Sequence, residues 1–356
     1  MASGNSDLWA RFGTVRVLPG PIDQDVDLKI NMTSTANYYD IVQRLSDVDS
    51  DYSVALQAPS LKVLSSRRRA LPCRAADIAL FFRPGLVLQN LDITSLHLDV
   101  FISSDLVVQN TTKISLESGA LTVNPFISSR KTYIEMGSSS ISGEYSLYDV
   151  LSIQSKSGSM NVDVKPKKAD PDSPQPAVLE MRSKSGSINV QFPPHGGEVP
   201  EREYHTTVVS SSGTINGRFL HGKHSVLETS SSTITADILP YSADDYASTL
   251  HTRSASGSQK INVLSPYFDP RTTIARLSST HFTSSGTLSL IYPDEWEGEL
   301  SGRTSSGSLS LRGRDVRIID QGSSGGGKYI VAEKGDGESK LRFNTKSGSV
   351  NAVVGF

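Results

Sequence analysis

One short unit limits the fold of this chain more than any other feature: a Ser/Thr-rich bend with a central glycine, followed by apolar residues at every second position. It reads Ser155-Lys156-Ser157-Gly158-Ser159-Met160-Asn161-Val162-Asp163-Val164, and again Ser183-Lys184-Ser185-Gly186-Ser187-Ile188-Asn189-Val190-Gln191-Phe192. Further copies surround Gly213, Gly286, Gly307 and Gly348, and weaker ones centre on Gly119, Gly143, Ser232 and Gly257. A period of two places Met160, Val162 and Val164 on one face of a strand. Leu151 and Ile153, Leu179 and Met181, and Leu341 and Phe343 alternate likewise before their glycines, so each bend joins two short strands. Glycine suits such a bend because it reaches positive φ without a Cβ clash, and flanking Ser and Thr can bond neighbouring backbone groups.

A single unit cannot bury its apolar face, whereas stacked copies create a continuous core and a continuous hydrogen-bond ladder. The expected fold is all-β, a parallel β-solenoid-like stack of short strands with Ser-Gly turns. The turn glycines are Gly119, Gly158, Gly186, Gly213, Gly257, Gly286, Gly307 and Gly348. With Gly143 counted among them, their intervals vary between 15 and 44 residues, which implies corner loops of unequal length and leaves a multi-strand antiparallel β-sandwich as the alternative. Residues 1–21 read as a flexible lead, 22–85 as a β-rich cap over the first edge strand, and 86–356 as the repetitive domain. Asp40 to Leu45 is the one modest helix candidate. Lys165 to Pro176, Pro193 to Glu203 and Gln321 to Glu338, rich in Pro, Gly or charge, read as exposed loops.

Composition narrows function. With 35 Lys plus Arg against 37 Asp plus Glu, the chain lacks the basic excess that phosphate backbones select, so no nucleic-acid partner is expected. The run Arg67-Arg68-Arg69 with Arg74 reads as a solvated loop. Cys73 stands alone and can neither form an internal disulfide nor anchor a metal. The first residues lack the basic and apolar blocks of a signal peptide, and no stretch reaches the roughly 18 apolar residues that span a bilayer, so no membrane span is expected. Sequons at Asn31 and Asn110 are possible glycosylation sites, although chance produces sequons readily in a Ser/Thr-rich chain.

The Ser-Gly-Ser/Thr-apolar units resemble a repeat family described as adhesin-like, a β-solenoid-like domain of unknown function found in bacterial and fungal proteins. The stretch Tyr292-Pro293-Asp294-Glu295-Trp296-Glu297-Gly298 leading into Thr304-Ser305-Ser306-Gly307, then a Gly/Lys-rich loop and the last unit, carry the resemblance further. It covers roughly Ala76 onward and looks most like the fungal members. The resemblance implies a cell-surface or extracellular interaction module, with cell-wall polysaccharide or a surface protein as partner.

The residues themselves offer little catalytic chemistry. Asp294, Glu295, Glu297 and Glu299 form the densest acidic cluster, but nothing fixes two of them at a working separation, and they read as solvating a loop beside Trp296. Asp163 and Asp237 lie at outward or terminal strand positions. His205, His221 and His224 lack the further ligands and supporting shell that a metal needs, so no metal or cofactor is expected. Gly325-Gly326-Gly327-Lys328 precedes Tyr329, where a phosphate-binding loop requires Ser or Thr. Tyr133, Tyr145, Tyr148, Tyr241, Tyr246 and Trp296 are scattered and read mainly as packing residues.

The ladder offers a different possibility. Ser159, Ser187, Thr214, Thr233, Ser258, Thr287, Ser308 and Ser349 hold equivalent positions after each bend, and stacking would align them into a flat polar face. The plain alternative is that they bond one another and terminate strands. The leading expectation is therefore a non-catalytic, adhesin-like interaction module. A structural scaffold without glycan affinity comes second, and a carbohydrate-active enzyme on a solenoid third.

Overall fold

The computed structural model describes residues 12–36, 39–40, 52–57, 60–65, 75–124, 128–241 and 247–355. Cys73, the Arg67–Arg69 run, Arg74, Tyr246 and residues 41–45 lie outside them. The described residues form strands, turns and loops, and no helix among them is long and apolar enough to cross a membrane. The chain divides into two compact units, the first ending at Ser146 and the second beginning at Leu147, and in each the strands build two mostly parallel sheets. Parallel register is the signature of a β-solenoid-like stack and excludes the antiparallel sandwich.

In the first unit, Phe12–Pro19 lies in parallel between Ala75–Phe82 and Asp99–Ile102, and Ala120–Val123 continues that sheet. Residues 12–19 are thus a core strand rather than part of a flexible lead. Val15 and Val17 are fully buried; their alternation carries no Ser-Gly bend, which is why the repeat pattern passes over them. The second sheet pairs Val87–Ser95, Val107–Leu116 and Ser128–Met136 in parallel. Antiparallel strands from the expected cap region flank both sheets: Leu28–Ala36 on Ala75–Phe82, and Tyr52–Gln57 on Ser60–Ser65. Asn31 and Asn110 are exposed on Leu28–Ala36 and Val107–Leu116 respectively.

In the second unit each repeat contributes one strand to each sheet, with the Ser-Gly bend between them: Val150–Ser155 then Met160–Pro166, Ala177–Ser183 then Ile188–Gln191, Tyr204–Ser210 then Ile215–His221. His224–Thr229 with Ile234–Pro240, Ser248–Ser254 with Gln259–Val263, and Leu277–Ser285 with Leu288–Tyr292 follow. Leu179, Met181, Ile188, Val190, Ile215, Leu227, Ile234, Ile261 and Leu290 fill the space between the sheets and are almost fully buried.

The bends show why the unit needs both glycine and a preceding hydroxyl. A Cβ on Gly186 would lie 1.7 Å from the Gly158 carbonyl oxygen, and one on Gly213 would lie 1.9 Å from that of Gly186. Gly158 and Gly307 do have positive φ, but Gly186 and Gly213 do not, and there the requirement is the close approach of stacked backbones. Ser183, Ser210 and Ser254 are buried, and each hydroxyl accepts the N–H of the glycine three residues on at 2.8 Å. Ser254 also donates to the Ser232 carbonyl of the preceding rung at 3.0 Å. A hydroxyl can accept and donate at once, so a single atom closes a bend and ties it to its neighbour. Gly143, a weak centre in the repeat pattern, lies inside the strand Ser140–Leu147 with a φ of 125°, paired with Val123; the bend before that strand contains Gly137 instead.

Two departures from the expected order occur near residue 300. The rung Ser339–Ser347 and Val350–Val354 inserts between the rung ending at Tyr292 and the rung formed by Gly298–Ser306 and Leu309–Gly313. The connection Pro293–Glu297 therefore crosses two rung spacings, about 9.6 Å. Trp296, completely buried and edge-on to Tyr292 at 5.8 Å, anchors it. Second, Gln321 to Glu338 is not a loop throughout: Arg317–Ser324 and Gly327–Lys334 form an antiparallel hairpin on Gly298–Ser306. Gly325 and Gly326 have φ of 59° and 85°, the pair of positive values a two-residue hairpin turn demands, so glycines that read as a loop signal close a turn.

The insertion Lys165 to Pro176 is tied down. Arg202, whose side chain is almost entirely buried, donates to the carbonyls of Lys167 (2.8 Å) and Gln175 and stands 3.5 Å from the buried carboxylate of Asp149. We expect Arg202→Met to release this loop, with tryptic cleavage after Lys167 or Lys168 accelerating severalfold while the rest of the chain stays resistant. Unchanged cleavage would show that the loop is held by other contacts.

Candidate binding surface

Because inward positions alternate with outward ones, every rung of the second unit presents the same outward positions on the sheet that follows the bends. The first row comprises the eight expected hydroxyl residues. Backbone bonds record the alignment: Met160 N–H to Ser187 O, Ile188 to Thr214, Ile215 to Thr233, Ile234 to Ser258, Gln259 to Thr287, Leu288 to Ser349 and Val350 to Ser308, all between 2.8 and 3.1 Å. The spatial order differs from chain order only where Ser349 lies between Thr287 and Ser308, a consequence of the inserted rung. Ser159, Thr287 and Ser308 are exposed and the others half-buried. Within the row, Thr214 Oγ1 donates to Ser187 Oγ at 3.0 Å.

The second row, two residues further along each strand, was missed by sequence reasoning. It runs Asn161, Asn189, Asn216, Thr235, Lys260, Ser289, Asn351 and Ser310. Asn189 Nδ2 donates to Asn161 Oδ1 at 2.7 Å, and Asn216 Nδ2 to Asn189 Oδ1 at 3.2 Å. The signal was present: Ser159-Met160-Asn161, Ser187-Ile188-Asn189 and Thr214-Ile215-Asn216 repeat hydroxyl-apolar-amide in consecutive units. Each amide has two donors and two acceptor lone pairs, so the ladder leaves capacity on every one. Rungs are separated by about 4.8 Å and the rows by roughly 6.7 Å, which gives a two-dimensional polar lattice.

The remaining candidates do not converge. His205 and His224 pair in register on the outer face of the other sheet, whereas His221 is buried with Nδ1 2.8 Å from Ser225 Oγ. His205 contacts Glu203 at 2.5 Å, and His224 contacts Thr249 at 2.6 Å. Partial burial, then the positive charge of His205 and His251, hold His224 below the usual imidazole value. Among the described residues no group of three or more His, Cys, Asp or Glu is placed to hold a metal ion.

The acidic cluster serves the fold. Asp294 accepts from Arg314 at 2.9 Å and lies 3.4 Å from the buried Lys334 ammonium, while Glu295 accepts from Ser265 at 3.1 Å. Asp237 accepts from Asn262 at 3.0 Å, and Asp163 is exposed. Tyr241 is buried in an aromatic cluster with Tyr204, Tyr267 and Phe268; Tyr145 is buried as well, and Tyr133 is exposed.

A polar chain runs through the core of this unit. Thr252 Oγ1 donates to Gln259 Oε1 (2.5 Å), which obliges His281 Nδ1 to donate to Thr252 (2.7 Å) and leaves Nε2 to accept from the Tyr292 hydroxyl (2.7 Å). His281 is therefore a neutral imidazole. Burial, with a smaller contribution from His251, pushes it down to about 3, and burial pushes the Tyr292 hydroxyl well above its ordinary value.

Set against protein-family models, curated proteins and solved structures, the chain matches none of them.

Proposed function

We propose that this chain is a non-catalytic interaction module of the adhesin-like type, acting at the cell surface or outside the cell, and that the two-row lattice of the second unit is its contact face. The alignment of eight hydroxyl residues beside the amide row carries the reading, because it is polar and repeats at a fixed spacing. Such a surface suits a partner that is itself periodic, and cell-wall polysaccharide is the first of these. The engagement of Asp294, Glu295 and Asp237 in structural hydrogen bonds supports a binding role over hydrolysis. Bonds within the rows favour the second reading, a scaffold whose ladders serve only themselves.

Co-sedimentation with insoluble cell-wall polysaccharides separates the two. Wild-type chain is expected to pellet with at least one polymer, and the variant T214E/T287E/S308E to lose binding at least tenfold with an unchanged far-UV spectrum. If no polymer sediments the wild type, the lattice is not a glycan surface and the scaffold account replaces it.

A further inference from the structure

The rung that inserts out of chain order brings with it a cationic outer face. Alternation along Ser339–Ser347 turns Leu341, Phe343 and Thr345 into the core and leaves Lys340, Arg342, Asn344 and Lys346 on the outside. Register fixes what stands beside each. Arg342 lies between Thr280 and Ser301, and Asn344 lies between Phe282 and Arg303. Lys346 comes next, flanked by Ser284 and Ser305, because the pairs on either side of it join Thr283, Thr345 and Thr304, then Ser285, Ser347 and Ser306. Three exposed cations, Arg303, Arg342 and Lys346, therefore surround the Asn344 amide on one face, with hydroxyl groups beside them. The insertion assembles this group, since in chain order Gly298–Ser306 would lie against Leu277–Ser285 and Arg303 would have no such neighbours.

No carboxylate balances the cluster. Arg276, Arg314 and Arg317 are matched by Glu338, Asp294 and Glu333, whereas none of the three cations has an ion-pair partner among the described residues. The cluster is bounded. Lys340 stands in register with Glu299, Tyr329 follows Arg303 on the hairpin, and Arg253 lies over the Phe282 ring, 5.8 Å from its centroid, with Glu228 as its in-register neighbour on the far side. Arg342 and Lys346 are separated by roughly 13 Å along the backbone, and Arg303 sits one strand away beside the midpoint. On so open a face water competes with a lone anion from every side, but a chain bearing several anions adds their contributions.

We infer that this face binds an acidic polysaccharide, its carboxylates or phosphates held by Arg303, Arg342 and Lys346 and its ring hydroxyls paired with Asn344 and the flanking Ser and Thr side chains. Each Arg offers a planar fork that fits a carboxylate or phosphate in two-point contact, and Lys adds a movable point charge. The amide and hydroxyl groups among the cations favour a saccharide, which carries hydroxyls between its anionic groups. The face belongs to the other sheet from the hydroxyl and amide rows, so the inference does not depend on the lattice binding glycan.

The test is calorimetric titration of the full chain with an oligogalacturonide, a phosphorylated mannose oligosaccharide, a neutral β-glucan oligosaccharide and a polyglutamate peptide of matched charge. At least one anionic saccharide is expected to bind, and the neutral one not. R303A, R342A and K346A should each weaken binding severalfold, the triple variant about thirtyfold or more, and a rise from 50 to 200 mM salt about tenfold. R182A, exposed on the same sheet away from the cluster, and the lattice variant T214E/T287E/S308E should bind as wild type does. The two anionic sugars report whether carboxylate or phosphate is preferred, and either preference supports the site. Polyglutamate binding as tightly as either sugar, and weakened equally in the triple variant, would overturn the saccharide assignment. Absence of binding to every acidic probe, wild-type binding by the triple variant, or loss of binding in the lattice variant would overturn the site itself.

Discussion

Gly213→Ala should cost the fold about 3 kcal/mol, although it adds only one methyl group. The new Cβ would lie 1.9 Å from the carbonyl oxygen and 2.5 Å from the carbonyl carbon of Gly186. Both are backbone atoms in a rung held by hydrogen bonds on each side, so neither can swing away as a flexible side chain would. Relief requires the rungs to part, which breaks bonds such as Ile188 N–H to Thr214 O beside the bend. Gly196→Ala is the matched control: Gly196 has a φ of 80° but nothing within 4 Å of the added carbon. It should lose only the backbone strain of a left-handed alanine, about 1 kcal/mol. Urea denaturation of the two variants measures the difference. Equal losses would mean that the rungs yield to the added methyl group at little cost, and that the close approach of backbones is not what selects glycine at this bend.

Acidification should unfold the second unit well above the pH at which its carboxylates alone would do so. His281 and His221 are buried and neutral, pushed down to about 3 and about 4, while in the unfolded chain each titrates near the ordinary imidazole value of 6.5. The unfolded state therefore holds more protons between pH 6.5 and 4, and stability falls as pH drops through that window and is flat above it. Each histidine removes on the order of 3 kcal/mol by about pH 4. The urea midpoint at pH 7.5, 6, 5 and 4 follows the loss. H281N will be less stable than wild type at pH 7.5, but its midpoint should fall less steeply between pH 6 and 4, by close to one proton. Parallel slopes would show that His281 is protonated in the folded chain and that its link to Thr252 and Tyr292 is broken.

The strand pattern was open to reading because it is local. Met160, Val162 and Val164 announce a strand by their spacing alone, and the glycine before them announces the bend. Which strands become neighbours is a different kind of information. Nothing in residues 339–354 distinguishes a rung that follows its predecessor from one that slides between two earlier rungs, since every rung offers the same backbone edge. The motif Tyr292 to Gly298 held a trace of it: a buried Trp in a short acidic connection is what a crossing of two spacings requires, yet the same residues read equally well as a solvated loop. The hairpin at Gly325 was masked by its own glycines. His281 was hidden because its strand, Leu277–Ser285, buries Ser279 and His281 at positions where adjoining rungs place Leu250, Leu341 and Phe343. The contact face was half legible: the hydroxyl row follows from its fixed position after each glycine, whereas the amide row lies two residues further on, where Thr235, Lys260 and Ser289 interrupt it.

The inserted rung bears on how the chain acquires its structure during synthesis. A solenoid whose rungs follow chain order can grow as it leaves the ribosome, each new turn closing on the last. Here residues 298–313 emerge before the rung they must pack against, and Leu288–Tyr292 waits with an open edge until residues 350–354 arrive. For that interval two unpaired edges of matching character, Leu288–Tyr292 and Leu309–Gly313, stand two rung spacings apart and could zip together directly. The connection anchored by Trp296 holds them at that separation, so it acts as a spacer that keeps a berth vacant for the strand made last.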